Sequence, residues 1–329
     1  MQQATIISTG MSVPEQIISN EYFNNLYGED VDSWLKEHVQ IYNRRWCSNK
    51  ESTADLAVSA GRKAIENGGI SPSEIDLIIV ATDTPEYISP ATSAIVQHRL
   101  GANNSGTFDL NAACAGFVTA LDVAAKYLRS DHRYHYILVI GAYAMSKYLN
   151  LHDKKTATLF ADGAGAILLH GREDKNTGWQ TSYLKTEGKY SDYMGIYGGG
   201  TKNPFNERVL SQHLHQLQFV QKFPKSINPD TWTEIILQMA GELDISPKEV
   251  DHFFITQINI YSIWDTLDRL KIDRGKAYTI MHDYGYTGSA CIPMALHDAV
   301  EKNRIKKGDL IFFIGSGGGL AFAGAAFRY

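Results

Sequence analysis

The sequence predicts an α/β protein whose helices cover both faces of parallel or mixed sheets, built from two copies of one unit that pack as an α/β/α/β/α sandwich. The first observation is the alternation of buried, β-branched runs with helical apolar periods along the chain. The second is an internal echo. ISPSEIDLIIVAT starts at Ile70 and ISPKEVDHFFITQ at Ile245, an offset of 175 residues. LDVAAKYL from Leu121 and LHDAVEKN from Leu296 keep that offset, and YILVIGAY from Tyr136 and LIFFIGSG from Leu310 stand 174 apart. Three segments at one spacing indicate duplication, with one half over 1–170 and the other over 171–329 in a single integrated unit. A site between the halves would draw residues from both.

Each copy runs in the same order. TADLAVSAGRKAIENGG from Thr53 and WTEIILQMAGEL from Trp232 carry apolar residues at helical spacing. Ile-Ser-Pro-x-Glu then ends a loop, its proline barring further helix, and DLIIVAT or HFFITQ follows as a strand. TFDL from Thr107 is a short strand, and from Cys114 onward Phe117, Leu121, Ala124, Ala125 and Leu128 fall on one helical face. In both copies the second helix leads into a buried strand that ends in glycine.

Composition closes off several functions. The chain has 329 residues, 44% hydrophobic and 20% charged, which fits a globular core. A net charge of -5 without long blocks of one sign gives no basic face for nucleic acid. No apolar run approaches the ~18 residues of a membrane helix, and the start MQQATIISTGMSVPEQ lacks a basic region before an apolar core, so a cytoplasmic protein is expected. Cys47, Cys114 and Cys291 are odd in number and in no CxxC pattern, which argues against a disulfide framework and a zinc site. The histidines are single apart from His213 and His215 in a Gln-rich stretch, so no metal is expected. No GxGxxG follows an early strand, which disfavours a dinucleotide-binding dehydrogenase.

Three stretches hold the chemistry. FDLNAACAGF sets Cys114 where a strand gives way to a helix, and the unpaired N–H groups and dipole of a helix start favour a thiolate. Ala112, Ala113, Ala115 and Gly116 leave room beside the sulfur. Two readings of Cys114 stand: a small core hydrophobe, or a nucleophile. GSGGG, from Gly315 to Gly319, is an oxyanion hole or a place where the halves pack closely. YGYTGSACIPMAL, from Tyr284, mirrors Cys114 at Ser289, and neither glycine run has the Lys-Ser/Thr ending of a P-loop.

With FADGAGA, a loop from Phe160 to Ala166, these motifs resemble β-ketoacyl-acyl carrier protein synthase III of the thiolase superfamily over essentially the whole chain. The resemblance implies a thiolase-like fold and an acyltransferase of fatty acid, polyketide or related secondary metabolism. It implies a homodimer, or a heterodimer with a homologous synthase, and no tightly bound cofactor. The acyl group would arrive on coenzyme A or on the phosphopantetheine of acyl carrier protein, move to Cys114, and condense with malonyl-acyl carrier protein as carbon dioxide leaves. The backbone amides of Cys114 and Gly318 take the place of the oxyanion donors.

Two catalytic partners are replaced. The family's His-Gln-x-Asn reads TQIN here, so Thr256 stands for the histidine while Gln257 and Asn259 remain. Its Gly-Asn-Thr reads Gly-Tyr-Thr, with Tyr286 for the asparagine. Both newcomers keep a hydroxyl donor, and neither is a base near neutral pH. Acylation of Cys114 is expected to survive while malonyl condensation is weakened or replaced. Two alternatives are transfer to an oxygen, nitrogen or sulfur acceptor, and a non-catalytic partner subunit, which leaves the intact NAACAGF unexplained. His252 and His282 read as solvated or structurally bonded, with His282 the outside candidate for the missing base, and Asp162 as a turn residue beside the site.

Carrier contacts follow from the same likeness. Trp34 matches the aromatic that stacks on the coenzyme A adenine, with a core tryptophan as the alternative. His38 and Tyr261 replace family arginines, and Lys154 stands where another nucleotide-binding arginine lies. Ser89, with Tyr87 beside it, aligns with a gating phenylalanine supplied by the partner subunit. A serine there would admit an acyl group larger than acetyl.

Overall fold

The computed structural model describes residues 2–173 and 177–329. Its first sheet holds β1 (Gln3–Ser12), β2 (Leu77–Ala81), β3 (Gly106–Leu110), β4 (Tyr136–Ala144) and β5 (Asp162–Arg172), in the spatial order β1-β5-β4-β2-β3. The second holds β6 (Gly178–Thr186), β7 (His252–Ile255), β8 (Leu310–Gly317) and β9 (Ala321–Arg328), in the order β7-β8-β9-β6. In the first sheet β1/β5 and β5/β4 are antiparallel, and β4/β2 and β2/β3 are parallel. The second repeats this, with β6/β9 and β9/β8 antiparallel and β8/β7 parallel. Its counterpart of β3 shrinks to one parallel bridge between Phe253 and Ala277.

The helices that matter are α1 (Asp32–His38), α2 (Thr53–Gly68), α3 (Thr92–Leu100), α4 (Gly116–Ser130), α5 (Ile227–Glu242), α6 (Ile260–Arg269) and α7 (Cys291–Glu301). Helices α4 and α7 lie between the sheets. Their Leu121, Ala125, Leu296 and Ala299 share one core with Ile79 and Val139 of the first sheet and Ile311 and Phe313 of the second. Helices α2 and α3 cover the outer face of the first sheet through Ala60, Ala64, Val96 and Leu100. Helices α5 and α6 cover the outer face of the second through Ile235, Met239, Ile263 and Leu267. Five layers result, as the duplicated pattern predicts.

Local sequence fixes the element ends. Helix α2 opens on a capping box between Ser52 and Asp55 and closes on Gly69 at φ 66°. Each Ile-Ser-Pro-x-Glu motif is a short 3-10 turn closed by a capping box, Ser71 with Glu74 and Ser246 with Glu249. Strand β2 is buried throughout, which is why its run is apolar without alternation.

FADGAGA departs from expectation: from Asp162 onward it is strand, not loop. Its glycines mark close approach of α7. A Cβ added at Gly165 would lie 2.5 Å from Met294 N. At Gly141 of β4 it would lie 2.3 Å from Ser289 O. Helices of the second half therefore sit directly on the backbone of the first sheet.

Candidate active site

Strands β2 and β3 run parallel with Ala81 opposite Leu110, and Thr82 N donates to Leu110 O at 3.1 Å. The segments after Ala81 and after Leu110 therefore leave the sheet at the same end. Past β3 the chain turns tightly. The Asn111 side chain accepts from Ala113 N at 3.0 Å, Ala113 adopts φ 47°, and Gly116 N donates to Ala113 O at 2.9 Å. Helix α4 begins at Gly116, so Cys114 precedes it by two residues. Strand β8 of the other half runs against this turn. A Cβ at Gly317 would fall 2.5 Å from Cys114 N and 2.6 Å from Ala112 O, so only glycine permits the approach.

A cavity of about 600 Å³ opens over the turn. Cys114, Thr256, Tyr286, Ser316 and Gly318 lie on its wall, and Trp34, Lys154 and Asn259 also line it. Residues far apart in sequence and drawn from both halves thus meet in one space. Ser89 does not line it. It is exposed on the segment between β2 and α3, beside Tyr87 and Ile88, the latter 80% exposed.

The thiol of Cys114 is buried, and its pKa is pushed well above the usual value, first by burial and next by the negative charge of Asp83. A hydrogen bond from the Tyr286 hydroxyl opposes the shift. The sulfur is therefore a thiol at neutral pH. The expected pull of the helix start is outweighed, because the sulfur lies ahead of the first helical residue and out of water.

Tyr286 is itself held from both sides. Its N–H donates to Leu159 O and its carbonyl accepts from Ala161 N, both at 2.9 Å, while its ring lies 5.3 Å from that of Phe160. Burial raises its phenol, which stays protonated as a donor. Thr256 extends β7, its N–H donating to Ile314 O at 3.0 Å, and its Oγ1 accepts from Ser316 N at 2.9 Å. It ties the end of β7 to the start of the glycine turn. Gln257 accepts from Ile280 N and Met281 N at 2.8 and 3.1 Å, fixing the segment that leads to Tyr286. Asn259 caps α6, accepting from Tyr261 N at 2.9 Å.

At the cavity mouth Trp34 is 51% exposed and stacks on His38, ring centroids 5.2 Å apart at 11°. The core alternative for Trp34 thus falls away. Lys154 pairs with Glu29, and Lys155, Lys222 and Lys225 join it around the opening. The Tyr261 hydroxyl donates to Glu37 O at 2.6 Å, linking α6 to α1. The two spare histidines stand elsewhere, His282 beside Asp283 at 3.2 Å and His252 bonded to Asp309 at 3.1 Å. Asp162 is fully buried, accepting from Cys47 N at 2.7 Å, from Ser146 N at 2.8 Å and from the Ser146 hydroxyl, a structural role.

Asp83 was not among the residues singled out from sequence. It retains some exposed surface, yet its Oδ1 is shielded from water and has no hydrogen-bond partner. Burial pushes its carboxyl up to about 6. The signal was present in an acidic residue two positions beyond the strand that pairs with β3.

This chain is similar to known condensing enzymes over its full length. The family described as 3-oxoacyl-[acyl-carrier-protein (ACP)] synthase III matches residues 108–188, and the C-terminal part of that synthase matches 241–329. The β-ketoacyl-[acyl-carrier-protein] synthase III of Clostridium perfringens is 36% identical over 331 residues, covering 100% of both chains. Among solved structures, the 3-oxoacyl-[acyl-carrier-protein] synthase III of Aquifex aeolicus superposes with a TM-score of 0.89 at 29% identity, over 99% of this chain and 100% of that one. A priming β-ketosynthase of a polyketide biosynthetic pathway gives 0.88 at 26%, over 99% and 96%.

Proposed function

Because the chain belongs to the 3-oxoacyl-acyl carrier protein synthase III family and is an acyl-condensing enzyme of the thiolase-like fold, we propose that it works through an acyl-Cys114 intermediate with an altered set of catalytic partners. The observation that carries this reading is the meeting of Cys114, Tyr286 and Gly318 in one cavity built by both halves. An acyl thioester enters from the mouth, where an exposed indole and four lysines suit an adenine ring and the phosphates of coenzyme A or acyl carrier protein phosphopantetheine. Lys154 and Asn259 belong to this substrate-binding wall. The sulfur of Cys114 attacks the thioester carbonyl, and the amides of Cys114 and Gly318 receive the developing oxyanion. Tyr286 donates to the reacting sulfur, and Thr256 holds the Ser316–Gly318 segment in place.

Malonyl decarboxylation asks for donors to an enolate, and here the hydroxyl of Thr256 donates to Ser316 O at 3.4 Å and that of Tyr286 to Cys114. This favours a second reading, in which the acyl group passes from Cys114 to a non-malonyl acceptor. No tightly bound cofactor is needed for either. We read the chain as two thiolase-like halves, 1–170 and 171–329, in a cytoplasmic dimer. The exposed Tyr87, Ile88 and Phe205 beside Ser89 support a contact there with a second synthase subunit, and a serine at the gate suits an acyl chain longer than acetyl. Among the described residues no helix is long and apolar enough to cross a membrane.

The test is intact protein mass after incubation with acyl-coenzyme A, then carbon dioxide release on adding malonyl thioester. We expect one acyl group on the protein, none on the Cys114→Ala variant, and decarboxylation at least tenfold slower than in a synthase that keeps histidine and asparagine. An unmodified wild-type chain overturns the reading. Acylation with no decarboxylation at all selects the non-malonyl acceptor.

A further inference from the structure

A buried thiol must lose its proton to become a nucleophile, and the surroundings of Cys114 offer few places for that proton to go. Thr256 is an alcohol bonded to Ser316, and Tyr286 is a protonated phenol. His252 and His282 are engaged with Asp309 and Asp283 away from the sulfur. The segment after β2 supplies a carboxylate instead. It leaves the first sheet beside the segment that carries Cys114, because Ala81 pairs with Leu110 and the ladder continues through Thr82.

This segment is held firmly. Thr84 N donates to Thr82 Oγ1 at 3.0 Å, Ala144 N donates to Thr84 Oγ1 at 2.9 Å, and Thr53 Oγ1 donates to Thr84 O at 2.6 Å. Asp83 is the residue between the two threonines. Its charge acts on Cys114, Tyr143 and Tyr148. A shielded carboxylate oxygen without a donor is costly, and an acid kept so beside a reacting thiol is placed to act on it.

We propose that Asp83 is the proton acceptor of this site, taking the proton from Sγ of Cys114 as the sulfur attacks the acyl thioester and returning it to the departing carrier thiol. The inference rests on the acyl-Cys114 reading. In the step, the Cys114 S–H bond breaks, a bond forms from Sγ to the acyl carbon, and the bond from that carbon to the carrier sulfur breaks. The carrier sulfur leaves with the proton, and Asp83 ends as it began. No oxidant or reductant takes part.

The groups facing Asp83 leave it free to set the pH response. Cys114 before α4, Tyr143 on β4 and Tyr148 just after it all stay protonated below pH 8, because burial raises each of them. Tyr286 and Cys291, around Cys114 from the second half, are raised in the same way. Glu86, on the same segment, accepts from Ala54 N at 3.0 Å on the α2 side. A carboxyl near 6 is protonated at pH 5 and a competent base at pH 7.

The experiment follows Cys114 acylation by acetyl- and octanoyl-coenzyme A between pH 5 and 8 in the full chain, with Asp83→Asn and Asp83→Glu beside wild type. Wild type should acylate faster as pH rises through about 6. Asp83→Asn should be slower at pH 7 by about 100-fold or more, as expected for loss of a general base, and should lose that inflection. Asp83→Glu should recover part of the rate. Iodoacetamide alkylation of Cys114 should be faster in Asp83→Asn at pH 8, since removing the anion lets the thiol ionise more readily; this arm needs no acyl chemistry, and a cooperative circular dichroism melt near the wild-type midpoint reports that the variant is folded. Acylation of Asp83→Asn within about threefold of wild type, with the inflection kept, overturns the proposal and leaves the acyl-Cys114 reading standing. A wild-type chain that takes no acyl group overturns that reading, and the proposal falls with it.

Discussion

At the scale of single residues, Tyr286 is tied to Cys114 by a hydrogen bond that counters the upward shift burial imposes on the thiol. Removing only its hydroxyl isolates that bond. Tyr286→Phe should keep the ring contact with Phe160 and leave the thermal midpoint within a few degrees, while acylation of Cys114 slows by about tenfold to a thousandfold, the usual range for one lost donor at a reacting centre. Mass spectrometry on a time course reads this directly, and an unchanged rate would make Tyr286 a packing residue. Cys114, Thr256 and Tyr286 were legible because each sits inside a local motif. Asp83 was not, because its relation to Cys114 is set by the parallel pairing of two strands about 30 residues apart, which no local pattern encodes. The ionisation of Cys114 was misjudged for a related reason: a helix start is visible in sequence, whereas the burial that outweighs it is a tertiary fact.

At the scale of elements, the duplicated strands and helices were readable because their hydrophobic periods repeat at one offset, and the paired capping boxes at Ser71 and Ser246 carry the repeat down to individual hydrogen bonds. Glycines misled in one place and informed in another. FADGAGA reads as a loop by composition, but its glycines let α7 lie against strand β5. GSGGG does have the close-packing role left open from sequence, since Gly317 brings β8 onto the Cys114 turn. Gly317→Ala therefore should displace that turn, lower stability by about 1–3 kcal/mol, and abolish acylation even where the variant folds. Circular dichroism melts paired with the mass assay separate the two effects. A variant that folds and acylates normally would mean that β8 can shift without moving Cys114.

For the whole molecule, charge is distributed against the net value. The chain carries -5 overall, yet Lys154, Lys155, Lys222 and Lys225 gather at one cavity mouth. Such a ring raises the local concentration of an anionic carrier and loses its hold in salt. The double substitution of Lys222 and Lys225 by Glu should raise KM for acyl-coenzyme A by about tenfold or more, leave kcat within about twofold, and flatten the dependence of KM on ionic strength. Steady-state kinetics at two salt concentrations measure it. This surface was only partly legible, since the resemblance pointed to Lys154 alone while the other three are gathered by the fold.

The contacts of Gly141 with Ser289, of Gly165 with α7, and of Gly317 with the Cys114 turn run in opposite directions across the middle of the protein. Each half carries a groove that the other fills. Neither half alone would possess a finished nucleophile: the first would hold the sulfur with nothing to shape the space above it, and the second would hold the shaping turn with nothing to serve. Divided into two polypeptides, the protein would be a complementing pair, silent apart and competent only on reassembly.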